Sequence, residues 1–152
     1  IPQGLADGPY VHVMAMHHEE GIRIATLGET RATNDKVTAL ATRMRSNRQK
    51  ELGELKQFMT TVAEDMAPAD RSALKRMPVE NLEKASGAAF DRMFLDTMVE
   101  HHQDTLAMTR TAKLVMPGVQ QFAARLTQAL AAEIKEAEAL RKEPRSSGLA
   151  RR

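Results

Sequence analysis

Four of the five histidines in the chain stand in two adjacent pairs, and each pair follows a methionine at the same interval. The two motifs are Met14-x-x-His17-His18 and Met98-x-x-His101-His102. On an α-helix, residues three and four positions apart lie on one face, so each motif gathers one thioether and two imidazoles on neighbouring turns. Thioether sulfur and neutral imidazole nitrogen both donate electron pairs to metal ions, so this spacing indicates metal ligation.

Each half of the chain also carries one glutamate on an otherwise apolar helical face. Glu51 and Glu133 occupy corresponding places among leucine, methionine and alanine residues. A carboxylate that faces a core must be paired, bound to a metal or protonated. We therefore predict that the inward-facing His17 and His101 are its partners. Either glutamate would ligate a metal itself or hold an imidazole in its ligating tautomer.

The donor set favours copper over metals that prefer oxygen ligands. Di-iron helical bundles use Glu-x-x-His, whereas no histidine in this chain has a glutamate three residues before it. Thioether and imidazole are softer than carboxylate and, in the absence of thiolates, favour Cu(I) over iron, manganese and magnesium. Zinc, bound through histidine and glutamate, and iron are the less favoured alternatives.

Most of the methionines have a simpler interpretation, because a methionine on a helical stripe is ordinarily adaptable core filling. We assign six of them to that role: Met44, Met59, Met66, Met77, Met93 and Met116. Met14 and Met98 differ in their fixed interval to the histidines. Met108 lies two turns after His101 on the same stripe, and its assignment is open between ligand and core. The doublets themselves could instead be two His-Glu hydrogen-bonded layers.

Apolar residues recur at helical spacing through almost the whole chain, and the signals of β-hairpins are missing. The pattern predicts four long helices at about 9–30, 34–62, 88–115 and 118–141. Residues 63–87 form a long connection with a short helix from Pro68 to Leu74. Residues 1–143 are predicted to be a single domain and residues 144–152 a flexible basic tail.

The two halves of the chain resemble each other. A shift of 84 residues superposes the first doublet on the second, and a shift of 82 superposes Glu51 on Glu133. Arg48 breaks the symmetry, because Leu130 stands at the equivalent position. The repeat predicts an all-α, ferritin-like four-helix bundle built from two duplicated helical hairpins with a long crossover. In each doublet the first histidine should point inward and the second toward the edge of the apolar stripe.

Composition excludes several classes of function. Five of the 22 basic residues lie within 141–152, so the pI of about 9.1 is a property of the tail. With one Tyr, four Phe and no Trp there are few rings for bases to stack on, and nucleic-acid binding is not predicted. The absence of cysteine excludes thiolate sites and disulfides. No run of 18 apolar residues exists, so no transmembrane segment is predicted.

The stretch FDRMFLDTMVEHHQDTLAM, residues 90–108, resembles domain-of-unknown-function family 305, in which an Asp, a Phe-Leu pair, a Met, a His-His doublet and a later Met follow one another. Glu133-Ile134 and, in the first half, Glu51-Leu52 resemble the second helix of that pattern. The family includes ferritin-like, CopM-like copper-binding proteins, and its members are commonly secreted or periplasmic. The resemblance implies seven candidate copper ligands: Met14, His17, His18, Met98, His101, His102 and Met108.

These observations predict a secreted or cell-envelope protein that sequesters or carries Cu(I), a binder rather than an enzyme. The start at Ile1 instead of Met is compatible with a removed secretion signal. One alternative is a ferritin-like metal-dependent oxidase or peroxidase that uses His17, His101, Glu51 and Glu133. Another is a metal-free helical interaction domain whose histidine layers fix the helix register. The sequence identifies no protein partner and leaves a homo-oligomer open.

Overall fold

The computed structural model describes residues 1–62 and 79–143, and this part of the chain is built from five α-helices. They are α1 (Asp7–Arg31), α2 (Asp35–Val62), α3 (Val79–Lys84), α4 (Gly87–Thr111) and α5 (Pro117–Arg141). The prediction of an all-α protein with four long helices is confirmed. The predicted short helix from Pro68 to Leu74 and the predicted tail 144–152 lie outside the described residues.

The two hairpins face each other through α1 and α4, which run in opposite directions. Near the start of α1, the Tyr10 hydroxyl lies 2.9 Å from the hydroxyl of Thr109, near the end of α4. Toward the end of α1, Gly28 faces the ring of Phe94, in the first part of α4. A Cβ at position 28 would lie 2.4 Å from that ring, so the glycine permits the close approach of the two helices.

Helices α2 and α5 pair in the same antiparallel way on the other side of the bundle. Lys36, at the start of α2, bonds Glu143 at 2.8 Å, and Glu54, late in α2, bonds Arg125, early in α5, at 2.8 Å. Since α1 is antiparallel to α2 and to α4, helices α2 and α4 are parallel. The chain must therefore return along the bundle between them, which is the long crossover that the sequence predicts.

Two apolar clusters fill the bundle, one on each side of a central polar layer. One cluster contains Tyr10, Val11, Met14, Leu55, Met108, Val119, Phe122, Leu126 and Leu130. The other contains Ile24, Val37, Leu40, Met44, Phe90, Phe94, Met98 and Ala137. In every long helix the residues of one cluster precede the polar residues and those of the other follow them. The four doublet histidines, Arg48 and Glu133 are thus buried in mid-bundle.

Helix α4 ends at Thr111, whereas the sequence predicts an end at about Val115. The carboxylate of Asp7, at the start of α1, accepts hydrogen bonds from the backbone N–H groups of Val115 and Met116, each at 3.0 Å. Pro117 also disfavours helical geometry at the residue before it. The helix stops early because a tertiary contact supplies these amides with an acceptor, which local periodicity does not reveal.

Asp91 makes the equivalent contact in the other half, since it follows Asp7 by 84 residues. It accepts hydrogen bonds from the backbone N–H groups of Thr33 and Asn34 at 2.9 and 2.8 Å and from the Thr33 hydroxyl at 3.1 Å. Each aspartate therefore belongs to the first long helix of one hairpin and accepts hydrogen bonds from the turn of the other hairpin. The duplication extends from the sequence to the contacts that join the hairpins.

The short helix α3 lies in the connection before α4 and was not predicted. Its buried residues Val79 and Leu82 join one apolar cluster. Arg31, the last residue of α1, donates a hydrogen bond to the carbonyl of Ala85 at 2.9 Å. The end of the crossover is thereby fixed against the turn of the first hairpin.

Candidate metal centre

The first histidines of the two doublets stack on each other between α1 and α4. Their ring centroids are 3.7 Å apart and their planes differ by 3°. The Nε2–H of His17 donates to the backbone carbonyl of His101 at 3.1 Å. Burial lowers the pKa of His17 to about 4 and that of His101 well below its usual value, and the neighbouring histidines add to both effects. Both rings are therefore neutral at pH 7.

The backbone of α1 makes room for the ring of His101. A Cβ at Gly21 would lie 3.0 Å from Cε1 of His101 and 3.6 Å from its Nδ1. Thr105 occupies the equivalent position in α4, and its hydroxyl donates to the carbonyl of His101 at 3.1 Å. The surroundings of the two stacked rings thus differ although the doublets are alike.

His18, the second histidine of the first doublet, uses both ring nitrogens. Nδ1 lies 2.9 Å from the backbone carbonyl of Met14, and Nε2 lies 2.8 Å from a carboxylate oxygen of Glu51. Both partners are oxygen atoms that can accept a hydrogen bond. This side chain is held by oxygen on both sides.

His102 occupies the equivalent position in the second doublet but uses only one nitrogen. Its Nε2–H donates to a carboxylate oxygen of Glu133 at 2.6 Å. Among the described residues, its buried Nδ1 has no hydrogen-bond partner. Burial lowers the pKa of His102, although the carboxylate of Glu133 opposes this shift. Neutral His102 with its proton on Nε2 therefore keeps an unused lone pair on Nδ1.

A second buried ring nitrogen without a hydrogen-bond partner belongs to His101. Its Nε2 is buried and has no hydrogen-bond partner in the part of the chain that the structure describes. The carboxylate of Glu20 lies 3.9 Å away, which is too far for a hydrogen bond. The second doublet thus offers two buried ring nitrogens without partners, on adjacent residues.

Arg48 joins the two glutamates at the centre of the bundle, where its side chain is only 2% exposed. Its guanidinium donates to Glu51 at 2.6 and 3.1 Å and to Glu133 at 2.8 and 3.1 Å. Asn47 adds a hydrogen bond to Glu133 at 2.9 Å. The result is a buried chain of contacts that runs from His18 through both carboxylates to His102.

These contacts determine the protonation of the two glutamates. Burial alone would raise the pKa of Glu51, but the hydrogen bond from His18 and the charge of Arg48 outweigh it and leave the pKa lowered. Burial would likewise raise the pKa of Glu133, but the hydrogen bond from His102 and the charge of Arg48 outweigh it and lower the pKa to about 2. Both side chains are carboxylates at neutral pH.

The prediction that His17 and His101 bond the glutamates is wrong, because His18 and His102 do so. Adjacent helical residues point about 100° apart. The first histidine of each doublet faces the opposite hairpin, and the second faces the partner helix of its own hairpin, which carries the glutamate. The second histidine is therefore as buried as the first and does not lie at the edge of the stripe.

All three candidate methionines are fully buried, but they do not meet at one point. Met14 and Met108 belong to one apolar cluster, and Met98 belongs to the other together with Met44. This follows from the antiparallel arrangement of α1 and α4, in which the motifs run in opposite directions. The thioethers of Met14 and Met98 thus lie on opposite sides of the polar layer. Met108 lies on the same side as Met14.

Within residues 1–62 and 79–143, no group of three or more histidine, aspartate or glutamate side chains is placed to hold a metal ion. Glu51 and Glu133 are both bonded to Arg48, an inward-facing residue that in the sequence stands out as a break in the symmetry. A long basic side chain on an apolar helical face was the available signal. In the same residues, no helix combines the length and apolarity needed to cross a membrane.

The chain belongs to a family of helical proteins known as Domain of unknown function (DUF305), whose model matches residues 7–141. The match includes both doublets, both glutamates and all four long helices. The resemblance noted in the sequence is thereby confirmed. No curated protein sequence matches the chain.

Solved structures with the same fold include CopM in its Cu(II)-bound form, with a TM-score of 0.80, 21% identity, and coverage of 91% of this chain and 97% of CopM. The Cu(I)-bound form of CopM has a TM-score of 0.77 at 23% identity and covers 89% and 94% of the two chains. A DUF305 protein from Streptomyces coelicolor has a TM-score of 0.77 at 15% identity and covers 87% and 88%. These similarities establish the fold of this chain.

Proposed function

We propose that this protein binds copper, with Cu(I) as the preferred ion, through Met98, His101 and His102. The proposal is carried by the two buried ring nitrogens without partners, Nε2 of His101 and Nδ1 of His102. Leaving a buried polar atom unbonded costs roughly 1–3 kcal/mol, so such atoms call for a ligand or another compensation. A metal ion bound there would supply it.

The protonation of the second doublet supports this role. Histidine ligates as the neutral imidazole, and protons compete with the metal for the same nitrogen. Burial lowers the pKa of both His101 and His102, so the lone pairs stay available at neutral pH. The bond from Nε2 of His102 to Glu133 fixes the tautomer that presents Nδ1, as carboxylate partners commonly do for ligating histidines.

The methionine distinguishes among metals. Met98 is fully buried in an apolar cluster beside the doublet on α4. A thioether with two imidazoles forms a soft, low-coordinate donor set that suits Cu(I) better than zinc or iron. Exclusion of water from this side of the layer would also limit ligands to those that the chain provides.

The first motif is proposed as a second, weaker half-site. Met14, His17 and His18 repeat the donor pattern, and Met108 lies in the same cluster as Met14. Both nitrogens of His18 are already bonded to oxygen, and Nε2 of His17 donates to the carbonyl of His101. A metal ion would have to break these hydrogen bonds before it could bind.

The similar structures agree with this assignment. CopM was crystallised with Cu(I), Cu(II) and Ag, and of these Cu(I) is the ion that soft thioether donors favour. The Streptomyces coelicolor relative is described as secreted, which favours an extracytoplasmic location for this chain. We infer a protein that sequesters or carries copper outside the cytoplasm.

The oxidase or peroxidase alternative draws no support from the geometry. It would use His17, His101, Glu51 and Glu133, yet the two imidazoles are stacked face to face and both carboxylates are bonded to Arg48. The interaction-domain alternative is addressed by the same experiment, because it predicts that metal has no effect on the protein.

The test is an anaerobic titration of the metal-free protein with Cu(I) in competition with a chromogenic chelator. The unmodified protein should remove copper from the chelator in a fixed stoichiometric ratio. A variant with His17, His18, His101 and His102 changed to alanine should lose this uptake. His12→Ala is the matched control, because His12 lies outside the polar layer and bonds only the nearby carbonyl of Gly8.

Uptake that is equal in the four-histidine variant and in His12→Ala would show that the doublets do not bind copper. Failure of the unmodified protein to compete with the chelator would remove the copper proposal. Circular dichroism of each variant separates loss of ligands from loss of the helical fold.

A further inference from the structure

The guanidinium of Arg48 lies between two carboxylates, each of which is also hydrogen-bonded to a histidine, and its Nη1 is 3.3 Å from Nε2 of His102. Glu51 and Glu133 each bond Arg48 through both of their carboxylate oxygens. The Nε2 atoms of His18 and His102 lie 2.8 and 2.6 Å from the same two carboxylates. The four groups come from four different helices, one from each of α1, α2, α4 and α5.

Two imidazoles and two carboxylates form the kind of donor set that zinc, iron and other divalent transition ions use in proteins. In this chain a side-chain cation occupies that position instead. Buried Glu133 and the partly exposed Glu51 would be strongly destabilising without a cation, and Arg48 neutralises both from a single point. Leu130, the equivalent residue in the second half, contributes no charge, so Arg48 has no counterpart there.

We propose that Arg48 determines which metals the bundle accepts. Its guanidinium keeps four potential ligands apart: His18, Glu51, His102 and Glu133. As arranged around Arg48 they form no metal-binding group, and divalent ions that prefer oxygen and imidazole ligands are thereby excluded. Metal uptake is thereby limited to the soft donors of the Met-His motifs. This inference rests on the proposed copper function, because a selectivity filter matters only in a protein that binds metal.

The prediction is that removal of the arginine charge creates a divalent metal site. Arg48→Met keeps an unbranched side chain of similar length but removes the cation and its donors. The protein is titrated with Co(II), whose visible absorption reports tetrahedral coordination by protein ligands. We expect Arg48→Met to gain the visible absorption of tetrahedral Co(II) and the unmodified protein to show none.

Two further variants identify the site. Arg48→Lys keeps a cation between the carboxylates and should behave like the unmodified protein. Arg48→Met combined with Glu133→Gln retains the helix contacts but removes one ligand, and should lose the Co(II) spectrum. A gain that survives Glu133→Gln would overturn the proposal, since the ion would then be bound elsewhere.

Arg48→Met could unfold, because it leaves the buried carboxylate of Glu133 and the partly exposed one of Glu51 without their cation. In that case Co(II) should restore the helical signal and raise the midpoint of thermal unfolding, whereas it should do neither for the unmodified protein. Arg48→Gln, which keeps an amide donor between the carboxylates, is the second variant and should gain Co(II) binding as well. Absence of any gain in both variants, with or without folding, would contradict the proposal.

The outcome is separable from that of the copper titration. If the unmodified protein does not bind Cu(I) but Arg48→Met gains a Co(II) site, the copper function fails and the exclusion of divalent ions by Arg48 stands. If Cu(I) is bound but the unmodified protein binds Co(II) as tightly as Arg48→Met does, the copper function stands and Arg48 is only a structural ion-pair partner.

Discussion

The two Met-x-x-His-His motifs are alike in sequence, but their hydrogen bonds differ. In the first motif, His18 is bonded through both nitrogens, to the carbonyl of Met14 and to Glu51. In the second, His102 is bonded through one nitrogen, to Glu133, and its Nδ1 has no partner among the described residues. Three of the four ring nitrogens in the first motif are therefore hydrogen-bonded, whereas two buried ring nitrogens of the second have no such partner among the described residues.

The difference shows how a duplicated bundle can divide structural and chemical roles between its halves. The antiparallel packing of α1 against α4 stacks His17 on His101, and the two motifs run in opposite directions. Arg48, which has no counterpart in the second half, then ties both glutamates together. The first motif is bonded both within its own hairpin and, through His17, to the opposite one, and we propose that the second is the one that binds a ligand.

The largest expected effect comes from removal of the ligands of one half at a time. His101→Ala with His102→Ala should abolish tight Cu(I) uptake, because the nitrogens without partners are lost. His17→Ala with His18→Ala should weaken uptake by roughly 10- to 100-fold, as changes around a metal site typically do. Competitive titration of both double variants measures the ratio. Equal losses in the two variants would mean that the halves form one shared site.

The paired aspartates should differ in the stability that they provide. Asp91 accepts three hydrogen bonds from the first turn, and Asp7 accepts two from the second. Hydrogen bonds to charged groups contribute about 1.5–3 kcal/mol each when buried, and less when partly exposed. We expect Asp91→Ala to lower the free energy of unfolding by about 3 kcal/mol and Asp7→Ala by about 2 kcal/mol, measured by urea unfolding.

A larger loss of stability in Asp7→Ala than in Asp91→Ala would show that the hydrogen bonds to the second turn contribute more. Glu54→Ala is a suitable control, because its ion pair with Arg125 is on the surface and such pairs contribute roughly 0–1 kcal/mol.

Stability should decrease in mild acid because of the stacked histidines. The pKa of His17 is about 4 in the folded protein and near 6.5 in the unfolded chain, so the unfolded state takes up protons first as the pH falls. Stability is thus retained above pH 6.5 and lost progressively from pH 6.5 to 4, by about 2 kcal/mol at pH 5 from His17 alone. Glu133, with a pKa of about 2, adds its loss only between about pH 4.5 and 2.

Urea unfolding at pH 7 and pH 5 measures this decrease. His17→Phe with His101→Phe should reduce the pH dependence because it removes the two stacked imidazoles, whereas His12→Ala should leave it intact. A free energy of unfolding that is equal at pH 7 and pH 5 in the unmodified protein would contradict the burial of neutral imidazoles.

Features set by local periodicity could be predicted from the sequence, and those set by contacts between distant segments could not. The four long helices, the crossover, the buried doublets and the duplicated glutamates all follow from helical spacing and repetition. The end of α4 at Thr111 depends on Asp7, which is more than 100 residues away along the chain. The pairing of His18 with Glu51 depends on which side of α1 faces α2, and a sequence stripe alone does not specify that rotation.

Arg48 shows the same limit at the site itself. Its inward position could be identified from the apolar stripe of α2, but its function requires two carboxylates on different helices to converge on it. The glycine at position 21 is similar, because its importance comes from a ring on α4 that packs against α1. Both residues acquire a role only after the hairpins have docked.

The smallest expected effect compares two helical glycines, Gly21 and Gly53. A Cβ at Gly53 would contact nothing within 4 Å, so Gly53→Ala should raise the free energy of unfolding by about 0.5–1 kcal/mol through helix propensity. Gly21→Ala has the same intrinsic gain, but its Cβ would lie 3.0 Å from Cε1 of His101. The ring must shift by a few tenths of an ångström, and we expect this strain to cancel the gain.

Copper affinity separates this effect from simple packing. If His101 is a ligand, displacement of its ring in Gly21→Ala should weaken Cu(I) binding, whereas Gly53→Ala should bind as the unmodified protein does. Both variants add the same methyl group to a helix, so a change in helix propensity alone would not make their Cu(I) affinities differ. Unchanged Cu(I) affinity in Gly21→Ala would indicate that the ring nitrogen of His101 is not bound to copper, and the proposed ligands would then be reduced to His102 and Met98.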